Sequence, residues 1–269
     1  MKPSVEEPTP GSAAATRLRI ATYNVHSFIG ADRRCDPART AAVVQELRAD
    51  VVALQEMTYP TDLAIETRSP VVLPSLDQYQ CVLGPTHVRA EHHFGNVILT
   101  RFPIRDLSRI DISTSRREPR GAVHVVLDAF GTEFHVIATH FGLGWLERRG
   151  QIARILAAVQ QVSGGFVAVM GDFNDWFPGR SLVRALDDHF GSPGSPKSFP
   201  ARWPLLALDR VWVHPRARVT SVQAHSSLLA KRASDHLPVV AEMQMEPEAA
   251  IVSAPATSAA SGVIQKFGP

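Results

Sequence analysis

Asp172 and Asn174 stand two residues apart in the stretch GGFVAVMGDFNDW, Gly164 to Trp176. On extended backbone, residues two apart face the same side. A carboxylate and an amide aimed at one point suit a hard metal ion and a phosphoryl oxygen. The same residues also read as an Asx-rich turn, whose side chains serve only the local backbone. Asn24, Glu56, His140, Asp209 and His236 share one property with this pair: each lies at or beside the end of an apolar run. Ligand sites in layered α/β proteins collect at such ends. Each residue also has a structural alternative. Asn24 could cap a turn, Glu56 could be solvated, Asp209 could be an N-cap, and the two histidines could be packed and satisfied. Seven coincidences together point to a metal-using hydrolase.

These side chains need elements to hold them. Phe166 to Met170 is an apolar run bounded by glycines, which predicts a buried strand. Leu18 to Val25 is a strand, and Pro37 to Ala49 a helix with Pro37 in its first turn. Its apolar face is Ala41, Val44, Leu47 and Arg48, and Asp50 closes it. Val51 to Leu54 is a second buried strand that ends in Gln55-Glu56. Two strands flanking one helix are a layered α/β signature. Leu63 and Ile65, within 57–77, suggest a short helix or irregular packing. Strands are expected at 78–83, 96–100 and 104–110, with a loop over 91–95. A hairpin of 122–129 and 133–139 places His140 at its exit. Leu146 to Val162 is the clearest helix, with Ile152, Leu156 and Val159 as its stripe and Arg148, Arg149, Arg154 and Gln160 on other faces. A short helix at 181–187, a Gly/Pro/Ser loop at 191–204 and strands at 208–213, 219–223 and 237–243 complete the chain. Many strands and few helices suggest two packed sheets with helices outside.

A chain of 269 residues is ample for a full core. Its net charge of +2, with 11 histidines, permits a polyanionic partner without requiring one. Cys35 and Cys81 are the only cysteines and read as free thiols. The N-terminus lacks an apolar signal-peptide core, and no apolar run reaches the length of a membrane span. The expectation is a cytoplasmic monomer. Residues 1–16 read as a disordered lead and 247–269 as a flexible tail, leaving one folded domain at 17–246.

The chain resembles the endonuclease/exonuclease/phosphatase superfamily, whose fold is shared by DNase I, abasic-site endonucleases, inositol-polyphosphate phosphatases and neutral sphingomyelinases. The matching pieces are TYNV at 22–25, LQE at 54–56, GNVILTRFP at 95–103, EPRGA at 118–122, ATHFG at 138–142, GDFND at 171–175, LDRVWV at 208–213 and SDHLPVV at 234–240. The resemblance implies an α/β fold, a four-layer αββα sandwich with two central mixed β-sheets. It also implies roles. Glu56 resembles the principal metal carboxylate, with Asn24 beside it and Asp235 supporting the metal region. The metal expected is Mg²⁺, with Mn²⁺ as a substitute. Asp172 resembles the residue near the nucleophile, and Asn174 would bind a non-bridging phosphoryl oxygen. His236 resembles the general base, its ring held by Asp209. His140 would donate to the phosphate, and Arg120 would clamp it. Glu91 is a candidate to orient His140, or else part of a substrate loop, RAEHHFG. Asp175 and Trp176 remain unassigned.

The substrate follows less directly, because one fold hosts many reactions. The segments THFGLGWLERRGQ and SFPARWPLLALDR resemble small bacterial members grouped with lipid-metabolism phosphodiesterases. Phe141, Leu143, Trp145, Leu146, Trp176, Phe177, Phe199 and Trp203 could rim the site with apolar surface, or pack the outer helices instead. A phosphodiester that is lipid-linked or small and organic is the favoured substrate, with peripheral lipid contact as a corollary. A nuclease on DNA or RNA is the alternative, and would need an electropositive groove. A phosphomonoesterase is the third reading.

Overall fold

The computed structural model of the chain describes residues 16–62, 73–177, 182–192, 194–215 and 218–245. The lead expected over 1–16 (Thr16 apart), the packing around Leu63 and Ile65, and the tail over 247–269 lie outside these residues. The elements run β1 (Thr16–Asn24), α1 (Pro37–Leu47), β2 (Val51–Pro60), β3 (Gln80–Arg89), β4 (His92–Thr100), β5 (Ile104–Asp111), β6 (Gly121–Ala129) and β7 (Thr132–His140). They continue with α2 (Trp145–Gln160), β8 (Phe166–Asp172), α3 (Arg184–Phe190), β9 (Asp209–His214), β10 (Val219–Ala224), α4 (Ala230–Ala233) and β11 (Val239–Met245).

One sheet has the order β10-β11-β1-β2-β4-β3 and the other β5-β6-β7-β8-β9. Each contains one parallel pair, β1 with β2 and β7 with β8, among antiparallel ones. Both sheets are therefore mixed. They face each other across a core that includes Leu18, Ile20, Val51 and Ile98 from one and Leu127, Phe134, Val136 and Met170 from the other. Val43, Val44 and Leu47 of α1, with Ala230 and Ala233 of α4, cover the outside of the first sheet. Ile152, Ile155 and Val159 of α2, with Leu186 and Phe190 of α3, cover the second. The result is the four-layer αββα sandwich. Because β8 is covered on both faces, all seven of its residues are buried. A strand so placed reads as a continuous apolar run rather than an alternation.

Several local expectations are corrected. Arg48 is exposed at the left-handed C-cap of α1, φ 48°, and Thr40 and Val43 take its place on the buried face. Residues 92–95 belong to β4, not to a loop. The β3–β4 hairpin turns on Ala90 and Glu91 alone, at φ 44° and 67°. A two-residue turn of this kind needs positive φ at both positions, and without Asn or Gly it leaves no signal in the sequence. Arg148 is buried rather than on a solvated face, and its Nη1 donates to the Leu143 carbonyl at 2.6 Å. The short helix α3 starts three residues later than expected, and α4 was not foreseen.

The topology gathers the polar residues at one end of the sandwich. Asn24, His140 and Asp172 close three of the four parallel strands, β1, β7 and β8, and Glu56 lies within the fourth, β2. Asp209 opens β9, antiparallel to β8 and paired with Asp172. His236 precedes β11, which runs antiparallel to β1. Arg120 precedes β6, antiparallel to β7. Strand direction alone thus brings ends far apart in sequence to one rim.

Candidate active site

Two local devices aim the side chains. In β2, Gln55 and Glu56 together oppose the single position between Val97 and Gly95 of β4, and Glu56 sits at φ 55°. This is a β-bulge, which re-aims a side chain at the cost of a ladder step. In β8, Gly171 has φ 155°, and a Cβ there would stand 1.9 Å from the Thr139 carbonyl oxygen. Only glycine lets β7 and β8 approach so closely, with His140 directly beside Asp172 in register.

Beyond β8 the chain bends. Asn174 takes φ 49°, and its N–H donates to Asp172 Oδ1 at 2.9 Å. The Asx turn and the functional pair are therefore the same structure: the turn, not extended backbone, brings Asn174 round. Asn174 Nδ2 donates to the Phe141 carbonyl at 2.9 Å, and its Oδ1 accepts from Trp176 Nε1 at 3.1 Å. Trp176 thereby fixes which way the amide points. Asp175 is buried and pairs with Arg210 Nη2 at 3.5 Å, tying the GDFND and LDRVWV segments together.

A cavity of ≈ 320 Å³ opens at this rim, lined by Glu56, Arg120, His140, Asp172, Asn174, Asp235 and His236, with His26, Arg89, Phe94, Glu118, Leu143, Trp176 and Phe199. His236 Nδ1 lies 2.7 Å from Asp209 Oδ2, and its Nε2 lies 3.8 Å from Asp172 Oδ2. Asp209 is fully buried, and its backbone N–H donates to Ser198 Oγ at 3.2 Å. Asn24 Nδ2 donates to both Glu56 Oε1 and Asp172 Oδ2, each at 3.0 Å. Arg120 Nη1 lies 3.4 Å from His140 Nδ1. Asn174 Nδ2 lies 3.2 Å from His140 Nε2, so each ring nitrogen faces a group that only donates, and a neutral ring accepts from just one of them. That Nε2 faces Asp172 Oδ2 at 3.6 Å and Glu56 Oε1 at 3.9 Å. The Arg120 guanidinium and the Asn174 amide, not Glu91, orient His140; Glu91 is exposed at the hairpin tip.

Burial shapes the charges. It holds His140 well below the usual histidine range, helped by Arg120 and His236, so this ring is neutral. Burial likewise pushes Asp172 up to about 7, with Asp209 adding to the effect and His236 opposing it. Burial also works against a charge on His236, but Asp209 and Asp172 outweigh it and raise the ring to about 10.

Two carboxylates, Glu56 and Asp172, converge on one neutral amide, which cannot balance their charge. Their oxygens at the cavity are the donor type a hard divalent cation takes, so the site fits such an ion. One atom each of Asp172, Asp209 and His236 also lie within 4.8 Å of one another. That trio is already closed by the 2.7 Å hydrogen bond between His236 and Asp209, and a cation there would have to displace it. Asp235 lines the cavity but faces His26 Nδ1 at 3.6 Å.

Sequence reasoning gave Arg89, Phe94 and Glu118 no individual role. Glu118 Oε1 accepts from Arg89 Nη2 at 2.9 Å and Arg120 Nη1 at 3.3 Å, and Arg89 lies over the Phe94 ring at 4.5 Å. The EPRGA segment carried the signal for Glu118, and RAEHHFG, the candidate substrate loop, contains Arg89 and Phe94. Of the expected apolar rim, Phe141 is not at the surface at all. It packs edge-on against Phe173, 4.8 Å between centroids, under the outer helices. Trp176 and Phe199 stack edge-on at 5.3 Å, and Phe199 lies 4.8 Å from the His236 ring.

Residues 21–236 match the model of the Endonuclease/Exonuclease/phosphatase family. The uncharacterized protein YbhP of Escherichia coli is 29% identical over 260 residues, covering 88% of this chain and 100% of that protein. The solved structure of an endonuclease/exonuclease/phosphatase from Beutenbergia cavernae is similar with a TM-score of 0.67 at 22% identity, over 85% of this chain and 72% of that one. A mannosyl-6-phosphatase from Bacteroides thetaiotaomicron is similar at 0.63 and 16% identity, over 83% of this chain and 98% of that one. These structures share the fold, and the matched span carries every side chain placed above in the cavity. The chain belongs to the endonuclease/exonuclease/phosphatase family.

Proposed function

We propose that the protein is a divalent-metal-dependent phosphodiester hydrolase that directs water in line at phosphorus. Hydrolysis of phosphoesters is the family's chemistry. The observation that carries the reading is the buried His236–Asp209 pair, 2.7 Å apart, with the ring's free nitrogen turned to Asp172 in the shared cavity.

In this reading His236 Nε2 takes the proton from the attacking water. Asp209 holds the ring and stabilises the imidazolium that forms. Arg120, His140 and Asn174 face the negative charge that grows on the phosphoryl oxygens, and such preset polar groups act without reorganising. Glu56 and Asp172 would hold the cation, Mg²⁺ or Mn²⁺, with Asn24 keeping both carboxylates in place and Asp235 a more distant contributor. Such an ion, when bound, would supply Lewis-acid stabilisation of the charge that develops on the phosphoryl and leaving oxygens. A ring raised to about 10 is charged at neutral pH. A cation held by the Asp172 carboxylate would withdraw part of the field that raises this ring.

The substrate we favour is a lipid-linked or small organic phosphodiester. Apolar side chains stand beside the phosphate-facing groups in the cavity, and Arg89, the added cation, is already paired with Glu118. A nuclease is the second reading. Hydrolysis in isotopically labelled water, run against bis-p-nitrophenyl phosphate, p-nitrophenyl phosphate, plasmid and abasic DNA, RNA and phospholipids, tests both. Label in the phosphoryl product supports attack at phosphorus. Cleavage of plasmid but not of lipid would overturn the favoured substrate class.

A further inference from the structure

Nine large hydrophobic side chains are well exposed among the described residues, and six of them sit on three segments around the cavity mouth. Leu143, Trp145 and Leu146 lie on the first, Phe177 on the second, and Trp203 and Leu205 on the third. Each segment also sends a side chain into the cavity wall: Leu143, Trp176 and Phe199 respectively. Trp203 is 72% exposed and Leu146 75%. Isolated exposed apolar groups are ordinary, but a cluster of this kind around one opening marks a contact surface.

The chain holds these side chains outward. The Gly142 N–H donates to Gln151 Oε1 at 2.9 Å, and the Gly144 N–H to Glu147 Oε2 at 3.2 Å. Arg148 Nη1 fixes the Leu143 carbonyl from behind. On the third segment the Leu205 and Leu206 N–H groups both donate to the Phe199 carbonyl at 2.8 Å, which closes a tight hairpin under Trp203. Charge selects the partner. Over 141–150, 173–177 and 194–206 the only carboxylates are Glu147 and Asp175, and both are buried. The exposed charges on these segments are Arg149, Lys197 and Arg202, and exposed Arg116 and Arg117 lie on the neighbouring loop, Arg117 close to Gly144. Apolar tips with tryptophan among cations, which outnumber the more exposed carboxylates of the cavity wall, Asp235 and Glu118 (the latter held by Arg89 and Arg120), fit the boundary of an anionic bilayer. No helix among the described residues is long and apolar enough to cross a membrane, so the contact is peripheral.

We propose that the cavity mouth is a docking surface for an anionic lipid bilayer, which seats the active site at the headgroup layer. The surface stands on its own observations; that it delivers a lipid-linked phosphodiester rests on the phosphodiesterase reading above. Trp145, Trp176, Trp203 and Trp212 are the four tryptophans, and only Trp212 is in the core. Intrinsic fluorescence therefore reports docking directly. Phosphatidylglycerol vesicles are expected to shift the emission to the blue, and brominated lipid in the same vesicles to quench it. Phosphatidylcholine vesicles should act weakly, and added salt should reduce binding. Trp203→Ser with Leu205→Ser should weaken partitioning by about tenfold or more, with hydrolysis of bis-p-nitrophenyl phosphate unchanged. That soluble assay tests the hydrolase reading separately, and the wild-type quenching needs no variant. Absence of quenching, equal partitioning of the double variant, or a stable dimer in vesicle-free solution that buries these tryptophans would overturn the proposal.

Discussion

His236 carries the two demands that decide the chemistry, a fixed ring and a tuned proton. Asp209 supplies both, from a fully buried position. Asp209→Asn should lower kcat by about 10²- to 10⁴-fold. It also removes a negative neighbour that raises the ring, so the ascending limb of kcat/KM against pH should move to lower pH. A limb that stays in place would remove His236 from the role of base. Trp176 acts one residue further out, through Asn174. Trp176→Phe keeps the ring but loses the N–H that fixes the Asn174 amide. A fall in kcat of about fivefold with at most about 1 kcal/mol lost in stability is expected, since one net hydrogen bond is worth about 1 kcal/mol. An unchanged kcat would mean that the amide orientation is set by the Phe141 carbonyl alone.

At the scale of elements, the site depends on where strands end and how closely they pass. Gly171→Ala would push a methyl group into the Thr139 carbonyl and demand an unfavourable φ. We expect a loss of about 3 kcal/mol or more in denaturant unfolding, with activity lost in parallel. A stable, active variant would show that β7 and β8 need not be so close. The strands that position the site were legible because apolar runs end abruptly in polar residues, as Phe166 to Asp172 does. Asn24, His140 and Asp209 followed from the same pattern. What stayed hidden is encoded in backbone geometry. The β2 bulge that aims Glu56 and the Ala90-Glu91 turn both use positive φ at residues that do not advertise it. The 92–95 stretch therefore looked like a loop, and Arg89 and Phe94 were read only as part of a substrate loop, not as facing strands of a hairpin. Arg148 was misplaced for a different reason: charge alone does not reveal that a guanidinium is spent on a loop carbonyl.

At the scale of the whole molecule, the site is bought with stability. Asp172 is raised from 3.8 to about 7, so its cost to the fold is absent below the lower value and complete above the upper. His236 is raised from 6.5 to about 10, so its contribution is complete below the lower value and lost as pH rises through the upper. Both groups act in the same direction. In EDTA, Tm should fall as pH rises from 5 to 9, Asp172→Asn should flatten the lower part of that slope, and Mg²⁺ should raise Tm of the wild type but not of the variant. The family and the four-layer fold place the protein among phosphoester hydrolases; the shared rim of Glu56, Asp172, Asp209 and His236 is what makes the claim specific. It is tested most directly by steady-state hydrolysis of bis-p-nitrophenyl phosphate, with and without Mg²⁺, by the wild type, His236→Ala and Glu56→Ala. The account predicts Mg²⁺-dependent turnover by the wild type and a loss of at least about 10²-fold in each variant. Turnover undiminished in both variants would contradict it.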